Sequence, residues 1–256
     1  MPHLNRNGVE LYYDVHGEGP ALLLTHGYGA SSHMWAGQVA PFAKHVRLIT
    51  WDMRGHGRSA SPDNPALYSE EATVADMAAL LEAVGAESAI IGGLSLGGYM
   101  SLAFHLTHPT RTRALLIIDT GPGFKNDEAR EGWNERARMT GEKWESDGLA
   151  RLAKGGAEQR EAPHTSAKGL ANAARGMLAQ RDARVINSLP EIAVPSLVVV
   201  GARDEPFLKA SDYMAAKIPG AKKLVIPDAG HAANIDQPEL FNDAILSFLA
   251  DAKLMS

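Results

Sequence analysis

Hydrophobic and polar positions along the chain follow two patterns, short continuous apolar runs and longer stretches with apolar residues at helical spacing. The short runs suit strands buried on both faces, and the longer stretches suit amphipathic helices. Strands are predicted at 9–15, 21–25, 46–51, 88–92, 114–119, 195–201 and 222–226, and helices at 33–44, 70–84, 98–108 and 238–250. The strand at 9–15 alternates and ends in a turn, so it is predicted at an antiparallel edge. The order predicts an α/β protein with a mostly parallel central sheet of about eight strands flanked by helices.

One segment, 122–189, departs from this rhythm because it contains no convincing strand. Its charged and alanine-rich patterns are typical of helices, and glycines and a proline interrupt them. The segment is therefore predicted to be a helical insertion in an α/β core formed by residues 1–121 and 190–256.

Composition and charge narrow the class of protein. The 256 residues are 45% hydrophobic and 21% charged, as in an ordinary globular protein. The absence of cysteine excludes disulfides, thiol catalysis and cysteine-bound metals. A net charge of −5 without a run of Lys or Arg disfavours nucleic acid as a partner. Since no apolar stretch could span a bilayer and the N-terminus lacks a signal-peptide pattern, we expect a cytoplasmic protein with no membrane partner.

The stretch Gly93-Leu94-Ser95-Leu96-Gly97-Gly98 places a G-x-S-x-G string between a predicted strand and a predicted helix. In that setting the string forms a tight turn that pushes the serine hydroxyl clear of the sheet. Side chains two residues before or after the serine would collide with the turn, so glycine is needed at 93 and 97. The helix that follows directs its N-terminal dipole toward developing negative charge. Ser95 is therefore the candidate nucleophile.

Acyl transfer also needs donors for the oxyanion of the tetrahedral intermediate, and these are usually backbone N–H groups. One candidate is the amide of Leu96, directly after Ser95. The other is the amide of Tyr28 in the sequence His26-Gly27-Tyr28-Gly29, which follows a predicted strand. The two glycines permit the Tyr28 backbone to turn inward. His26, at a strand end before a glycine, is interpreted as a residue that fixes this loop rather than as a base.

Candidates for the base and the acid lie near the C-terminus. His231 follows the last predicted strand on a loop at the carboxyl end of the sheet, where sites of open α/β folds form. Asp204 follows a buried strand and is predicted to hold the His231 tautomer and to stabilise the imidazolium. Glu205, which is adjacent, and Asp119, which ends an earlier strand, are the alternatives for the acid. The order Ser95, Asp204, His231 along the chain is the one used by folds with this elbow.

Five motifs in this order resemble those of the α/β-hydrolase superfamily, at 26–29, 52–59, 93–98, 201–204 and 230–231. The second, Asp52-Met53-Arg54-Gly55-His56-Gly57-Arg58-Ser59, resembles a D-x-R-G-x-G-x-S loop that is structural in its relatives. The elbow and the stretch 230–238 are similar to small bacterial esterases and 3-oxoadipate enol-lactonases, and also to cofactor-free perhydrolases and C–C bond hydrolases. The resemblance implies an α/β-hydrolase fold in which the 122–189 insertion is a short helical cap that roofs the pocket and selects substrates.

The resemblance further implies a serine hydrolase that cleaves carboxylic esters through an acyl-enzyme, acting on a small-molecule ester or lactone without a cofactor or metal. Enol-lactone opening, C–C bond hydrolysis and cofactor-free perhydrolysis use the same triad and stay open. A ligand receptor that keeps the triad but turns over negligibly is the alternative from another class. Tyr28, Trp133, Phe207 and Ala232 are predicted to line the pocket, and the oligomeric state is left open.

Overall fold

The structure of the protein, a computed structural model, describes residues 3–255. Its centre is one eight-stranded sheet. The strands are β1 (His3–Arg6), β2 (Val9–His16), β3 (Ala21–Thr25), β4 (Arg47–Trp51), β5 (Ala89–Leu94), β6 (Thr112–Ile118), β7 (Ser196–Gly201) and β8 (Lys222–Ile226). Their order is β1-β2-β4-β3-β5-β6-β7-β8, in which β1–β2 and β2–β4 are antiparallel and all other pairs are parallel. The predicted mostly parallel sheet of about eight strands is confirmed.

Helices cover both faces of this sheet. They are α1 (Ala36–Phe42), α2 (Glu70–Ala83), α3 (Leu96–Thr107), α4 (Asp127–Asp147), α5 (Ala157–Arg160), α6 (Ala167–Ala173), α7 (Arg184–Ser188), α8 (Glu205–Lys217), α9 (Ala233–Asp236) and α10 (Pro238–Asp251). Successive strand residues point to opposite faces. Leu23 of β3 accordingly joins the core under α2 and α3, whereas Leu22 and Leu24 join the core under α1 and α10. Burial on both faces explains why the strands read as continuous apolar runs.

Between β6 and β7 the described chain forms helices and turns and no strand. The longest helix, α4, buries only Ala137, Gly141 and Trp144 along one narrow stripe, and it packs against α6 and a π-helical turn at Ala174–Leu178. The helical character expected for 122–189 agrees with these elements, while the limits of the insertion stay a prediction. Within residues 3–255, no helix is both long and apolar enough to cross a membrane.

The structure departs from the predicted elements at three places. It adds β1 and α8, and it divides the helix predicted at 33–44 into a 3-10 helix at Ser32–Trp35 followed by α1. Because β1 is four residues long and its side chains alternate between exposed and half-buried, it is held by pairing with β2 rather than by an apolar run. Helix α8 buries only Ser211 and Met214 and has few strongly apolar residues, so it lacks the apolar content by which the other helices were predicted.

The loop at 52–59 forms a dense set of structural contacts. The carboxylate of Asp52 accepts hydrogen bonds from the backbone amides of Ser32, at 2.6 Å, and Arg58, at 2.8 Å. The Arg54 guanidinium donates two hydrogen bonds to Asp76 of α2, at 2.6 and 2.8 Å, and the two side chains are 8% and 0% exposed. These contacts support a structural role for the loop, which joins the end of β4 to α2.

Candidate active site

Ser95 lies in the turn between β5 and α3, with backbone angles φ 56° and ψ −116°. A non-glycine residue in such a conformation carries about 1–3 kcal/mol of strain, which the surroundings must hold in place. The Ser95 amide donates a hydrogen bond to the carbonyl of Ile118, at 2.9 Å. The Thr120 hydroxyl donates to the Ser95 carbonyl, at 2.7 Å. Both contacts come from the end of β6 and the residues that follow it, which fix the strained turn.

The two glycines that the G-x-S-x-G string requires meet backbone atoms on close approach. A Cβ atom on Gly97 would lie 2.1 Å from the carbonyl oxygen of Thr25, and one on Gly93 would lie 2.5 Å from the carbonyl carbon of Gly97. Backbone atoms cannot swing aside as a flexible side chain can. The N-terminus of α3 therefore packs directly against the end of β3, and Ser95 lies between the two glycines at this close backbone contact.

The Ser95 side chain lines a cavity and forms no hydrogen bond with another residue in the described chain, 3–255. Hydrogen bonds between catalytic groups are often long or poorly aligned without substrate and tighten in the complex. The hydroxyl is therefore directed into open space rather than committed to a structural contact.

His231 and Asp204 are brought together from two loops at the carboxyl end of the sheet. The distance from His231 Nδ1 to Asp204 Oδ2 is 2.8 Å, and the side chains are 35% and 5% exposed. Phe207 stacks on the imidazole, with ring centroids 5.2 Å apart and planes 26° from parallel. Glu205, one of the alternatives for the acid, is exposed in the first turn of α8. The pair leaves Nε2 of the imidazole as the atom available for proton transfer.

The electrostatic environment favours a protonated imidazole at His231. Burial opposes the charged ring, but the hydrogen bond and negative charge of Asp204 outweigh burial, with further help from Asp119 and Glu158. The pKa of His231 consequently lies above its usual value of 6.5. A histidine with this property can accept a proton from a hydroxyl and return it to a leaving group near neutral pH.

Asp119, the other alternative for the acid, is buried between the two loops that carry Asp204 and His231. Its carboxyl oxygens accept hydrogen bonds from the backbone amides of Gly201, at 2.7 Å, and Ala233, at 3.4 Å. Burial raises the pKa of Asp119 to about 8, although the Gly201 amide acts in the opposite direction. Asp119 thus links the strand before Asp204 to the helix after His231.

The two candidate oxyanion donors have no other hydrogen-bond acceptor. Within residues 3–255, neither the amide of Tyr28 nor that of Leu96 donates a hydrogen bond to a protein group. Leu96 is the first residue of α3, where backbone N–H groups lack partners within the helix. Both amides are therefore free to donate to a developing oxyanion.

Residues of the helical segment hold the loop that contains Tyr28. The Gln159 side-chain amide donates to the Tyr28 carbonyl, at 3.1 Å, and the Tyr28 hydroxyl donates to the Leu170 carbonyl, at 2.7 Å. His164 Nε2 lies 2.8 Å from the carbonyl of Gly29. The side chain of Tyr28 is thus directed into the helical segment, and its pKa is raised by burial.

Three buried histidines join the loops around this site. His26 lies 2.7 Å from the Gly27 carbonyl through Nδ1, and its Nε2 accepts a hydrogen bond from the Met53 amide, at 3.0 Å. Burial lowers the pKa of His26 to about 4 and also lowers the pKa values of His56 and His164. These neutral rings hold loops together, which agrees with the interpretation of His26 from the sequence.

The cavity beside Ser95 has a volume of about 240 Å³. Its apolar wall is formed by Leu96, Pro122, Phe124, Trp133, Leu178 and Phe207. Trp133 and Phe207 are among its lining residues, whereas Tyr28 and Ala232 are not among them in the described chain. The substrate contacts expected of all four stay predictions. The wall also contains Arg136 and Gln180, which belong to no motif in the sequence.

The raised pKa of His231 predicts the pH dependence of activity. A histidine that takes a proton from a serine must be unprotonated, so with His231 as the expected base kcat/KM for a neutral ester should rise with pH through an apparent pKa above 6.5. Asp204→Asn removes the charge that raises this pKa, so its weak residual activity should titrate at lower pH. Profiles of kcat/KM from about pH 5 to 9 at constant ionic strength measure the acid limb of the native protein and that of Asp204→Asn. An acid limb at the same pH in both proteins would contradict the pairing.

The fold and this arrangement define a class of protein in which a strained serine follows a parallel strand and an acid–histidine pair lies on loops at the carboxyl end of the same sheet. The chain belongs to the alpha/beta hydrolase family, whose model matches residues 22–244. The predicted family and fold are thereby confirmed.

Whole-length relatives share this fold. The 3-oxoadipate enol-lactonase 1 of Acinetobacter baylyi is 29% identical, over 96% of this chain and 95% of that protein. The crystal structure of the enol-lactonase from Burkholderia xenovorans has a TM-score of 0.80 at 28% identity, covering 97% of this chain and 100% of that one. A thermophilic esterase from Thermogutta terrifontis has a TM-score of 0.82 at 29% identity, with 98% and 99% covered. Family and relatives together support a hydrolase of small molecules.

Proposed function

We propose that the protein is a serine hydrolase that cleaves carboxylic esters of small molecules through an acyl-enzyme intermediate. The observation that carries the proposal is the convergence of three features on one cavity. Strained Ser95 opens into it, and Phe207 joins its wall to the imidazole of the Asp204–His231 pair. The unbonded amide of Leu96 follows the serine directly, and the loop that carries the Tyr28 amide approaches it, since a Cβ atom on Gly27 would lie 3.5 Å from Ser95 Cβ.

Acylation follows from these positions. His231 Nε2 takes the proton of the Ser95 hydroxyl as Oγ attacks the acyl carbon, and Asp204 accepts the Nδ1–H hydrogen bond and stabilises the imidazolium. The amides of Tyr28 and Leu96 donate to the oxyanion of the tetrahedral intermediate. When the intermediate collapses, the C–O bond to the alcohol breaks, and the imidazolium protonates the leaving oxygen.

Deacylation repeats the sequence with water as the nucleophile. His231 removes a proton from the water, which attacks the acyl carbon of the Ser95 ester. Collapse of the second tetrahedral intermediate releases the carboxylic acid and returns the proton to Ser95. The same donors stabilise both intermediates, because the oxyanion occupies the same position in each.

The helical segment 122–189 serves in this proposal as a cap that limits substrate size. Phe124, Trp133 and Leu178 of this segment form part of the cavity wall. The cavity, at about 240 Å³, lies below the roughly 300–1,000 Å³ of sites for drug-sized ligands. We therefore expect activity on short substrates and little on polymeric esters.

Opening of an enol-lactone is the second candidate function, and the two enol-lactonase relatives favour it. A lactone is a cyclic ester, so Ser95, His231 and the oxyanion donors would act as described above. The difference lies in the leaving oxygen, which stays attached to the acyl group after ring opening.

A substrate panel distinguishes these reactions. We expect the purified protein to hydrolyse p-nitrophenyl acetate and butyrate with kcat on the order of 1 s⁻¹ or higher, as ordinary enzymes do. Parallel assays with an enol-lactone, with a dienol acid and for peracid formation give kcat/KM for lactone opening, C–C bond hydrolysis and perhydrolysis. These values rank the alternatives against ester hydrolysis. Turnover of the dienol acid alone, or formation of peracid alone, would show that C–C bond hydrolysis or perhydrolysis, and not ester hydrolysis, is the reaction of this protein. Tight binding of esters without turnover would identify a ligand receptor.

A further inference from the structure

Arg136 is the only charged residue among those that line the cavity. It lies on α4 within the segment 122–189 and is exposed at the cavity wall. Within the described chain its guanidinium group forms neither an ion pair nor a hydrogen bond. A free guanidinium offers five N–H donors in a planar fork that matches a carboxylate.

The unpaired state of Arg136 sets it apart from its neighbours. Six of the eight arginines in 122–189 form ion pairs with carboxylates of the protein, namely Arg130, Arg138, Arg151, Arg175, Arg181 and Arg184. Arg160 is the other exception, and it does not line the cavity. The one arginine that faces the cavity is thus left without a protein anion.

Gln180 provides a second unsatisfied polar group in the same wall. Its residue is 7% exposed, and its side-chain Oε1 is buried without a hydrogen-bond partner in the described chain. Its backbone is fixed, because Asn134 accepts from the Gln180 amide, at 2.7 Å, and donates to the Gln180 carbonyl, at 2.8 Å. A buried carbonyl oxygen without a partner is costly unless a ligand or water completes its hydrogen bond. Rotation of this amide about its last bond presents either oxygen or NH₂ to a ligand.

The charge of the helical segment has the sign that would attract an anion. Residues 122–189 contain twelve Lys and Arg against ten Asp and Glu, although the whole chain has a net charge of −5. The surplus of two positive charges belongs to the segment that supplies Arg136 and Gln180 to the cavity wall, and positive charge near a cleft raises the local concentration of an anionic substrate.

We propose that the substrate carries a carboxylate in addition to the bond that is cleaved, and that Arg136 and the amide of Gln180 bind this carboxylate. The inference rests on the proposed serine hydrolase function and names the substrate class of that site. The apolar residues between, such as Leu178 and Phe207, contact the short hydrocarbon part that separates the carboxylate from the carbonyl attacked by Ser95.

Matched pairs of anionic and neutral esters test the proposal. One pair places the charge on the acyl side, mono-p-nitrophenyl glutarate against p-nitrophenyl valerate. The other places it on the leaving group, 3-acetoxybenzoate against phenyl acetate. In at least one pair the native protein should prefer the anion about tenfold in kcat/KM, and Arg136→Gln should bring that ratio to about one, as expected for a charge-assisted but partly screened contact.

Arg138→Gln is the matched control, because the substitution removes the same charge two residues further along α4. Arg138 is paired with Glu131 and Glu135 and does not line the cavity. It should leave both ratios unchanged. Equal loss in the two variants would mean a general field effect and would overturn the proposal, as would a native ratio near one in both pairs.

Binding to Ser95→Ala separates failure of this inference from failure of the hydrolase proposal. Isothermal titration with monomethyl glutarate and dimethyl glutarate needs no turnover. Tighter binding of the monoester that Arg136→Gln removes supports the anion site even if no ester is cleaved. Ester cleavage by the native protein, together with equal binding of the two glutarates in this titration, overturns the anion site and leaves the hydrolase proposal intact.

Discussion

Replacing Ser95 with alanine is expected to lower kcat for p-nitrophenyl esters by about 10⁴-fold or more, because the acyl group then has no protein nucleophile. The two oxyanion donors and the cavity remain, so slow attack by water stays above the uncatalysed rate. The native turn already holds a non-glycine residue at φ 56°, and alanine adds no atom to it. The variant should therefore fold as the native protein does.

Initial rates of ester hydrolysis, measured beside a urea unfolding curve, test this expectation. Ser146→Ala is the control, since Ser146 is exposed on α4 and does not line the cavity. It should keep native kcat. Retention of native activity by Ser95→Ala with an unchanged unfolding midpoint would remove Ser95 from the mechanism.

The second large effect concerns stability. Asp76→Ala leaves the Arg54 guanidinium, which is 8% exposed, without the carboxylate that accepts its two hydrogen bonds. Removing one partner of a buried ion pair costs about 3–5 kcal/mol, because the remaining charge stays desolvated. The free energy of unfolding, measured by urea denaturation at neutral pH, should fall by that amount.

Two further variants test whether the loss of stability comes from the buried Arg54–Asp76 ion pair. Asp251→Ala breaks an exposed pair with Lys222, whose side chains are 58% and 61% exposed, and should cost less than about 1 kcal/mol. Replacing both Arg54 and Asp76 with apolar residues of similar size should recover much of the loss, because no buried unpaired charge remains and Arg6, the second partner of Asp76, is 28% exposed and stays hydrated. A loss at Asp76 no larger than at Asp251 would contradict the structural role of the 52–59 loop.

The strands of the core could be predicted because burial on both faces imposes continuous apolar runs on them. Strand β4, for example, starts at Arg47 and ends at Trp51, one residue shorter than the run at 46–51. Strand β1 could not be predicted, since four alternating residues held by backbone pairing with β2 leave no apolar signature. Helix α8 is not among the predicted helices, because it buries only Ser211 and Met214 and its sequence is low in strongly apolar residues.

The candidate residues of the site could be predicted from the sequence where their positions depend on local backbone geometry. The elbow needs glycine at fixed offsets from Ser95, and Asp204 and His231 each follow a strand at the same edge of the sheet. The roles of Arg136 and Gln180 depend instead on which faces of the helical segment meet the cavity. That is decided by tertiary packing, through contacts such as those between Asn134 and Gln180. Apart from the aromatic candidate Trp133, cavity residues of the segment 122–189 therefore carry no sequence signal that identifies them.

The most direct test of the central claim is the site of covalent labelling by a fluorophosphonate, read by intact-protein mass and peptide mapping. The account predicts one adduct per chain, on Ser95, formed rapidly in the native protein, slowly in His231→Gln and not at all in Ser95→Ala. Labelling of Ser95→Ala at the native rate, or an adduct mapped to a different residue of the native protein, would contradict it.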